Sequence, residues 1–574
     1  MAKDKRRKLI TIDAETDPFK YGRVPKPFIW AAFDGERCRF FEHGGELVAW
    51  LSEQHAVAYA HNGGRFDFLF LIDYMEPYKR LRIVNGRTGA FSIGKCVFRD
   101  SYLILPTPLS AYKKDEIDYR LFEANRRGAP GAMEKIKRYL EGDCRYLYEL
   151  VAGFRERYGS ALTLASSAVA LLRDMTGLTF PNTGRLHFST FHPYYYGGRV
   201  ECFEHGIHDG KKLDLYDVNS QYPTAMVQRH GWGTDYECRA SVPDDEGFLS
   251  RSFITLETEA LGAFPFRTEK GTLDFPADQV RRVFNVTGWE YIAARDLGIL
   301  GDARVSACYT LKESVSFRGY VEPLFEEKAA LPDKSAERLY VKLFLNSLYG
   351  KASADPRKYR EYTILKRNDV DPTNGAILHD DFRDDYRLES FIGSRAQLAL
   401  VSRPVPDYAQ RFYNVATGAS ITGYARAMLL RAIRACKRPY YCDTDSLLAE
   451  GFAGDIGAGL GQWKHEGTFT RVAIAGKKLY AFSDGRPWSW WGEGGRPPPG
   501  WKIATKGVRL TGPEVRRIAE GKTIEAKKEA PTMSLKGGAS FVKRKIRSTH
   551  KRVEGREAPA EVKVAKRPRE DLQP

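Results

Sequence analysis

The chain has 574 residues, too many for one hydrophobic core, so several domains are expected. Its 90 Lys and Arg residues outnumber its 73 Asp and Glu residues, and the net charge of +17 indicates a polyanionic partner or an anionic membrane surface. A hydrophobic content of 43% excludes a largely disordered chain, and no apolar run reaches the roughly 18 residues that a membrane-spanning helix needs.

The N-terminus is basic but becomes acidic before any apolar core develops, so we expect no secretory signal. Eight Cys residues without a CxxC pair indicate free thiols in a reducing compartment, and they offer no zinc site that the sequence alone could identify. These features predict a cytoplasmic protein that contacts nucleic acid and no membrane.

Residues 8–160 predict an α/β domain, because strand-like and helical runs alternate there. The strand-like runs are KLITIDAE, FIWAAFD, HAVAYAHN and ILPTPLS, and the helical runs are FDFLFLI and AMEKIKRYLEGDCRYLYELVAGF. The predicted elements that follow are a Tyr/Gly-rich turn and a β stretch (194–229), a long helix (316–350), a charged inserted subdomain without a clear period (356–414), a helix (422–435), a hairpin (440–448), a Trp-rich loop or hairpin (487–501) and a basic C-terminal stretch whose beginning is expected to fold (541–574).

A first set of carboxylates comes from three of these elements. Asp13 and Glu15 lie on one face of a strand, because strand side chains repeat every second residue. Asp67 follows the next strand-like run, and Tyr139 and Asp143 share a helix face at i and i+4. Taken singly, each of these patterns is more often a solvated surface.

Together, the three segments resemble the 3′–5′ exonuclease domain of the DEDD superfamily. The resemblance implies that Asp13, Glu15, Asp67 and Asp143 hold two metal ions and that Tyr139 orients the attacking water. It also implies that Asn62 and Phe66 line a single-strand site. The segment Asp100-Ser101 resembles a further strand-binding segment of that domain.

A second acidic set is centred on the hairpin YYCDTDSLL, whose tip carries Asp443 and Asp445 between apolar strands. A solvated turn is the alternative, since Asp is a common turn residue. Asp217, in DVNSQYP after a strand-like run, is expected to meet Asp445 across a sheet. A carboxylate pair beside apolar strands predicts a bound metal ion.

The predicted helix 316–350 carries Lys342, Asn346 and Tyr349 at spacings that place them on one face, followed by Gly350. A lysine is suited to binding a triphosphate, and an aromatic ring can stack on a base. An ordinary amphipathic helix explains the same spacing.

DVNSQYP, KLFLNSLYGK and YCDTDS, in this order, resemble the three polymerase motifs of family B DNA polymerases. The resemblance implies two Mg²⁺ ions at each acidic site, with Mn²⁺ as a substitute. Its implied roles are metal binding by Asp217, Val218 and Asp445, support by Asp443, triphosphate binding by Lys342 with Lys334 or Lys328, exclusion of a 2′-hydroxyl by Tyr222, and contact with the nascent base pair by Asn346 and Tyr349.

Further segments resemble the protein-primed branch of the family, found in phages, adenoviruses and linear plasmids. The segment 460–469 resembles one found between the hairpin and the primer-binding motif of that branch. Long intervals between the polymerase motifs resemble its two insertions. The resemblance implies DNA contacts by Tyr195, Gly197 and Gly198 of a YxGG motif, by Thr422 and Arg426 of a template motif in which Ala425 replaces Gly, and by Lys478 and Tyr480 of a KxY motif.

The expected fold class is a multidomain α/β protein, in which an RNase H-like DEDD exonuclease precedes a right-hand polymerase with two terminal-protein-region insertions. The expected domains are an exonuclease (1–165), a linker with the first part of the palm (166–229), a first insertion that contacts a terminal protein (230–315), fingers (316–355), a second, DNA-encircling insertion (356–420), the second part of the palm (421–510), a thumb (511–555) and a basic flexible tail (556–574).

The sequence therefore predicts a processive, strand-displacing and proofreading DNA polymerase that replicates a linear viral or plasmid genome. Its expected partners are template and primer DNA, dNTPs, a terminal protein and, as a further candidate, a single-stranded DNA-binding protein. A monomer or a heterodimer with the terminal protein is expected, in the bacterial cytoplasm if a phage encodes it. The alternatives are a family B polymerase that uses a nucleic-acid primer or none, a catalytically decayed DNA-binding protein and a stand-alone nuclease.

Overall fold

The computed structural model describes residues 7–489, 491 and 497–549. The predicted tail at 556–574 and part of the Trp-rich segment lie outside the described residues. None of the helices in the described ranges is long and apolar enough to cross a membrane.

The N-terminal region has the predicted α/β character, and its first strand is largely buried. Its strands and helices are β1 (Lys8–Thr16), β2 (Pro27–Phe33), β3 (Cys38–Phe41), α1 (Gly44–Ser52), β4 (Ala56–Ala60), β5 (Arg80–Val84), β6 (Arg87–Ile93), β7 (Cys96–Asp100) and α2 (Ala132–Tyr158).

Two predictions in this region were wrong. FDFLFLI forms the short 3-10 turns Asp67–Phe70 and Ile72–Tyr74 instead of a helix, because Phe66 leaves helical geometry at φ −145° and ψ −87°. ILPTPLS is a loop ending in the 3-10 turn Leu109–Ala111. Its two prolines have no N–H to donate to a strand ladder.

The middle of the chain contains a connecting helical segment and then a separate four-stranded antiparallel sheet. These elements are α3 (Leu164–Thr176), α4 (Gly184–Phe191), β8 (Val200–Cys202), β9 (Gly206–Ile207), β10 (Leu213–Val218), α5 (Gln221–Met226), β11 (His230–Arg239), α6 (Glu246–Leu249), β12 (Ser252–Glu259), β13 (Phe266–Arg267), β14 (Leu273–Asp274), β15 (Arg281–Thr287), α7 (Gly288–Asp296) and β16 (Arg304–Val315). The sheet has the order β11-β16-β12-β15 and its own hydrophobic core.

The long helix predicted at 316–350 is three helices: α8 (Arg318–Ala330), α9 (Ala336–Leu345) and α10 (Leu348–Ala352). The first break contains Pro332, and Ser335 then caps α9 by accepting a hydrogen bond from the Arg338 N–H. The second break is at Asn346, whose side-chain amide donates to the Lys342 carbonyl at 2.9 Å. The spacing argument therefore does not place Lys342, Asn346 and Tyr349 on one continuous helix.

The segment without a clear period contains three strands, and the helix after it begins at Val415, earlier than predicted. The predicted boundary between residues 420 and 421 falls inside that helix. The elements are β17 (Arg360–Lys366), β18 (Arg387–Ile392), β19 (Leu398–Pro404), α11 (Val415–Arg434), β20 (Cys436–Asp443), β21 (Ser446–Phe452) and β22 (Trp463–Phe469).

A ten-stranded sheet joins the N-terminal region to β17–β19, in the order β18-β19-β17-β5-β6-β7-β4-β1-β2-β3. The junction is the antiparallel pair β5–β17, with Leu81 opposite Tyr362. A five-stranded sheet, β22-β10-β21-β20-β8, lies at the centre of the polymerase-like segments.

The C-terminal elements are β23 (Arg471–Gly476), β24 (Leu479–Ser483), β25 (Trp501–Thr505), α12 (Gly512–Ala519), β26 (Ile524–Lys527), β27 (Thr532–Ser534), β28 (Gly538–Ser540) and β29 (Lys543–Ile546). The Trp-rich segment connects the antiparallel pair β24–β25, as a hairpin would. The pairing of β26 with β29 bears out the expectation that the beginning of the basic stretch folds.

Candidate active sites

The first acidic site is formed by β1, α2 and the turn after β4. Oxygen atoms of Asp13, Glu15 and Asp143 all lie within 4.8 Å of one another. Asp67, buried at the start of its 3-10 turn, is close enough for its charge to raise the pKa of Glu15. The Thr11 hydroxyl donates to the Cys144 carbonyl at 2.8 Å and fixes α2 against β1.

Burial is the main influence on these four carboxyl groups. It raises the pKa of Asp13 to about 7, with a further contribution from the charge of Asp143. Burial also raises the pKa of Glu15, Asp67 and Asp143. Asp67 Oδ1 and Asp143 Oδ1 are buried without a hydrogen-bond partner. Unpartnered carboxylate oxygens at this density fit hard divalent cations such as Mg²⁺.

Lys114 is a member of this site that the sequence reading missed. Its Nζ lies 3.3 Å from Asp143 Oδ2 and 5.2 Å from the centre of the Tyr139 ring. The Tyr139 hydroxyl is 3.4 Å from that of Tyr119. Lys114 lies in a loop without periodicity, so only the folded arrangement shows that it faces the carboxylates.

Asn62 and Phe66 flank the site on the turn after β4. Asn62 has a φ of 64°, and its Oδ1 accepts a 2.6 Å hydrogen bond from Arg87. Arg87 also pairs with the buried Asp100 at 2.8 Å, while the Ser101 hydroxyl donates to the Ala60 carbonyl. Asp100 and Ser101 thus hold the turn from inside, and their side chains have no surface to offer a DNA strand, contrary to the prediction.

The second acidic site is the tip of the β20–β21 hairpin beside the end of β10. Thr444 occupies the turn with a φ of 61°, and the Asp445 N–H donates to the Asp443 carbonyl at 2.7 Å. Asp217 is directly opposite Ser446 in the sheet, and the Val218 N–H donates to the Asp445 carbonyl at 2.8 Å. The predicted meeting of Asp217 with Asp445 is therefore present.

Electrostatics distinguish Asp443 from the other two carboxylates. Burial, and then the charge of Asp445, raises the pKa of Asp217 to about 6. Burial also raises the pKa of Asp445. Asp443 instead faces the predicted primer-binding motif, since its Oδ1 lies 3.0 Å from Lys478 Nζ and its Oδ2 accepts from the Tyr441 hydroxyl.

The hairpin turn is held from two sides, which the sequence reading did not foresee. The Gln221 side-chain amide donates to the carbonyls of Thr444 at 2.7 Å and Ala425 at 3.3 Å. The Thr444 N–H donates to the Arg199 carbonyl at 2.8 Å. A Cβ at Gly198 would lie 2.7 Å from Thr444 Cγ2, so glycine is needed for this close approach.

A candidate nucleotide pocket adjoins the second site. The Tyr222 and Tyr349 rings stack with centroids 4.1 Å apart and planes 9° apart. Lys328 Nζ donates to the Ser220 hydroxyl at 3.0 Å, and burial, with the charges of Arg338 and Lys342, lowers the pKa of Lys328. These three cations form a positive cluster, in which Arg338 is an addition to the sequence prediction.

The remaining predicted residues divide into buried and accessible ones. Exposed positions are Lys334, Lys342, Asn346 and Gly350. Thr422 and Arg426 are buried in α11, where Arg426 pairs with Glu290 at 2.7 Å and donates to the carbonyls of Tyr196 and Gly197. The Tyr195 carbonyl accepts from Arg267, and the Tyr480 ring stacks on Phe482 at 4.4 Å. Their DNA contacts stay predictions, and Arg426 would act through the Tyr196–Gly197 backbone.

Comparisons with known proteins agree with this arrangement. Residues 110–389 match the family of organellar and viral type B DNA polymerases. The DNA-directed DNA polymerase of Enterobacteria phage PRD1 is 34% identical over 578 residues, which cover 94% of this chain and 98% of that protein. The DNA polymerase of Bacillus phage phi29 is 24% identical over 508 residues, covering 76% of this chain and 79% of the relative.

The fold comparison leads to the same class. Phi29 DNA polymerase in complex with primer–template DNA and incoming nucleotides superimposes with a TM-score of 0.67 at 18% identity, covering 94% of this chain and 99% of that one. Phi29 DNA polymerase complexed with single-stranded DNA gives a TM-score of 0.66. The chain therefore belongs to the family of organellar and viral type B DNA polymerases. Its class of activity is DNA-directed DNA synthesis, and its relatives include the polymerases of phages PRD1 and phi29.

Proposed function

We propose that the chain is a protein-primed, proofreading DNA polymerase that replicates a linear viral or plasmid genome. The observation that carries the proposal is the pair of separate acidic centres, each assembled from distant segments, in a chain of this family. One centre contains Asp13, Glu15, Asp67 and Asp143. The other contains Asp217 and Asp445. A stand-alone nuclease would use only one of the two centres, and a catalytically decayed DNA-binding protein would use neither.

Synthesis is assigned to the second centre. Asp217 and Asp445, with the Val218 carbonyl, would hold two Mg²⁺ ions, which when bound lower the pKa of the primer 3′-hydroxyl and neutralise the triphosphate. Lys342, Arg338 and Lys328 are positioned to bind the triphosphate. The Tyr222 ring, fixed by stacking on Tyr349, would pack under the sugar and exclude a 2′-hydroxyl.

Removal of the primer terminus is assigned to the first centre. Its four carboxylates would hold the metal ions that activate water and stabilise the leaving oxygen. The Tyr139 hydroxyl, near that of Tyr119, would orient the water. The Lys114 ammonium beside Asp143 adds a positive charge where the cleaved phosphate becomes more negative. Asn62 and Phe66 would hold the terminal nucleotides.

The predicted domains belong to the same proposal. The exonuclease (1–165) shares its sheet with the second insertion (356–420), which would encircle DNA. The first insertion (230–315), with a core of its own, would contact the terminal protein. The palm (166–229 and 421–510) surrounds the hairpin, the fingers (316–355) carry the cationic cluster, and the thumb (511–555) follows β25. This arrangement supports processive, strand-displacing synthesis.

Two variants separate the activities. Asp445→Ala is expected to abolish primer extension and to spare 3′–5′ degradation of single-stranded DNA, while Asp13→Ala does the reverse. Asp214→Asn is the control, because Asp214 lies on the same strand as Asp217. Among the described residues, its carboxylate forms hydrogen bonds with His465 and Thr468. Loss of both activities in a variant with an unchanged circular dichroism spectrum would contradict the two-centre proposal.

Protein priming has its own test. A Ser, Thr or Tyr hydroxyl of a terminal protein would accept the first nucleotide, so that protein should become labelled when it is incubated with the polymerase, Mg²⁺ and a labelled dNTP. Equal synthesis from a nucleic-acid primer without any labelled protein would favour the alternative of a family B polymerase that needs no terminal protein. A cold-trap primer-extension assay tests processivity, and cellular fractionation tests the proposed location in the bacterial cytoplasm.

A further inference from the structure

An aromatic and basic loop connects β1, which carries Asp13 and Glu15, to β2. The loop reads DPFKYGRVPK over residues 17–26, and its three cations and one carboxylate give it a net charge of +2. Phe19 and Tyr21 are each 42% exposed. Both rings thus stay partly open to solvent on a loop that directly follows the strand of Asp13 and Glu15.

The loop makes ring contacts at both of its sides. The Phe19 ring meets the Phe66 ring at 5.7 Å, and Phe66 directly precedes Asp67 of the acidic centre. The Tyr21 ring meets the Phe541 ring at 5.7 Å, next to β29, and Lys527 Nζ lies 5.7 Å from the Tyr21 ring. Two ring pairs, Tyr21–Phe541 beside the C-terminal elements and Phe19–Phe66 beside the acidic centre, are thus separated by a single residue of the loop.

We propose that Phe541, Tyr21, Phe19 and Phe66 form a stacking track for the last nucleotides of a single DNA strand whose 3′ end enters the acidic centre. The proposal rests on the assignment of the exonuclease to that centre. Aromatic rings alternating with cations bind single strands without regard to sequence, because every base has a face that stacks. Lys20, Lys26 and Lys527 supply charge complementary to the phosphates.

The contacts between the rings are compatible with this use. The Phe19 and Tyr21 rings are partly open to solvent, and the pairs Phe19–Phe66 and Tyr21–Phe541 meet edge to face, with interplanar angles of 86° and 65°. A base can therefore stack on the free face of a ring without displacing a parallel partner. The track would accept the frayed end of a primer and exclude a duplex, whose bases present no free face.

The experiment compares a long and a short substrate of the exonuclease. The variant Phe19→Ala/Tyr21→Ala is expected to raise the KM for a single-stranded oligonucleotide by about 5-fold or more per ring. Its kcat/KM for the p-nitrophenyl ester of thymidine 5′-monophosphate, which is too short to reach the track, should be unchanged. Tyr21→Phe should restore the ring and therefore most of the affinity.

Tyr74→Ala is the matched control, because Tyr74 is an aromatic residue with a similar exposure of 43% that lies beside Gly45 of α1 and outside the track. An unchanged KM for the oligonucleotide in the double variant would overturn the track, and so would an equal loss on both substrates. Failure of the wild-type protein to cleave either substrate would instead overturn the exonuclease assignment itself. Primer extension on a matched duplex should be the same in all of these variants.

Discussion

At the scale of single residues, the two centres depend on side chains that position or compensate the carboxylates. Gln221 is 3% exposed, and its amide bridges two carbonyls, one in the hairpin turn and one in α11. Lys114 compensates a buried carboxylate in the other centre. Both residues act on one centre only, so each should affect one activity and leave the other as an internal measure of folding.

Gln221→Glu should lower the rate of single-nucleotide incorporation by about 10- to 100-fold, because a carboxylate cannot donate to the Thr444 carbonyl and the turn would shift. The Mg²⁺ concentration needed for half-maximal synthesis should rise, and degradation of single-stranded DNA should not change. Gln228→Leu is the control, since the Gln228 side-chain amide donates to the Thr224 carbonyl one turn away and not to the hairpin turn. Misplacing a group near the reacting atoms typically lowers the rate by roughly 100-fold. An incorporation rate within about 2-fold of the wild type would therefore show that the bridge is dispensable.

Lys114→Met should lower 3′–5′ degradation by at least about 10-fold and leave primer extension intact, because the charge beside Asp143 is lost. Lys113→Met is a close control: Lys113 is the preceding residue, but its ammonium pairs with Glu149 at 2.9 Å. Equal effects of the two substitutions on degradation would show that Lys114 has no special part in the site.

At the scale of elements, α11 joins the hairpin to the sheet of the first insertion through one buried ion pair. Arg426 and Glu290 are each 2% exposed, and Glu290 also accepts hydrogen bonds from the N–H and hydroxyl of Thr287. Arg426 Nη1 donates to the Tyr196 and Gly197 carbonyls. This buried ion pair thus links helix α7, α11 and the Tyr/Gly-rich turn.

Glu290→Ala should lower the free energy of unfolding by about 3–5 kcal/mol, since it leaves the Arg426 charge buried without its partner. Arg431→Ala, on the same helix, removes the exposed pair with Asp296 and should cost only about 0–1 kcal/mol. Urea unfolding followed by tryptophan fluorescence measures both. Similar losses in the free energy of unfolding for the two variants would show that burial does not make the Arg426–Glu290 pair harder to break than an exposed pair.

The sequence predicted which carboxylates meet, but not the residues that position and compensate them. The hairpin at Asp443 and Asp445 was foreseen because its two strands and two-residue turn are contiguous. Lys114 and Gln221 were not, because each acquires its part only when segments far apart in the chain meet. The break at Asn346 was missed because Leu- and Lys-rich stretches on both sides keep the helical period, while a single capping amide ends the helix.

At the scale of the whole molecule, the two acidic centres store unfavourable charge that metal ions would relieve. Burial raises the pKa of Asp13 to about 7 and that of Asp217 to about 6, above the ordinary value of 3.8. Between about pH 4 and about pH 7, the folded, metal-free protein therefore binds more protons than the unfolded chain does. Its free energy of unfolding therefore falls as the pH rises from about 4 to about 7.

Mg²⁺ should consequently raise the midpoint of thermal unfolding more at about pH 8 than at about pH 5, because protons already neutralise part of the charge at the lower pH. Differential scanning fluorimetry with Mg²⁺ or with EDTA measures the difference. Asp13→Asn/Asp217→Asn is the control, since it should reduce the dependence on both pH and metal. An equal Mg²⁺ effect at the two pH values would show that the pKa values of these carboxyl groups are not raised.

The pairing of β5 with β17 also has a consequence during synthesis on the ribosome. Arg80 begins β5 and Arg360 begins β17, 280 residues later in the chain. At a translation rate of about 5–20 residues per second, β17 is therefore synthesised about 14–56 s after β5. Throughout that time the β5 backbone is an open edge to which another nascent chain could add. Arg80 and Arg82, on one face of β5, oppose such addition by charge. A message truncated before β17 should therefore yield an aggregation-prone product, and more so with both arginines replaced by Val.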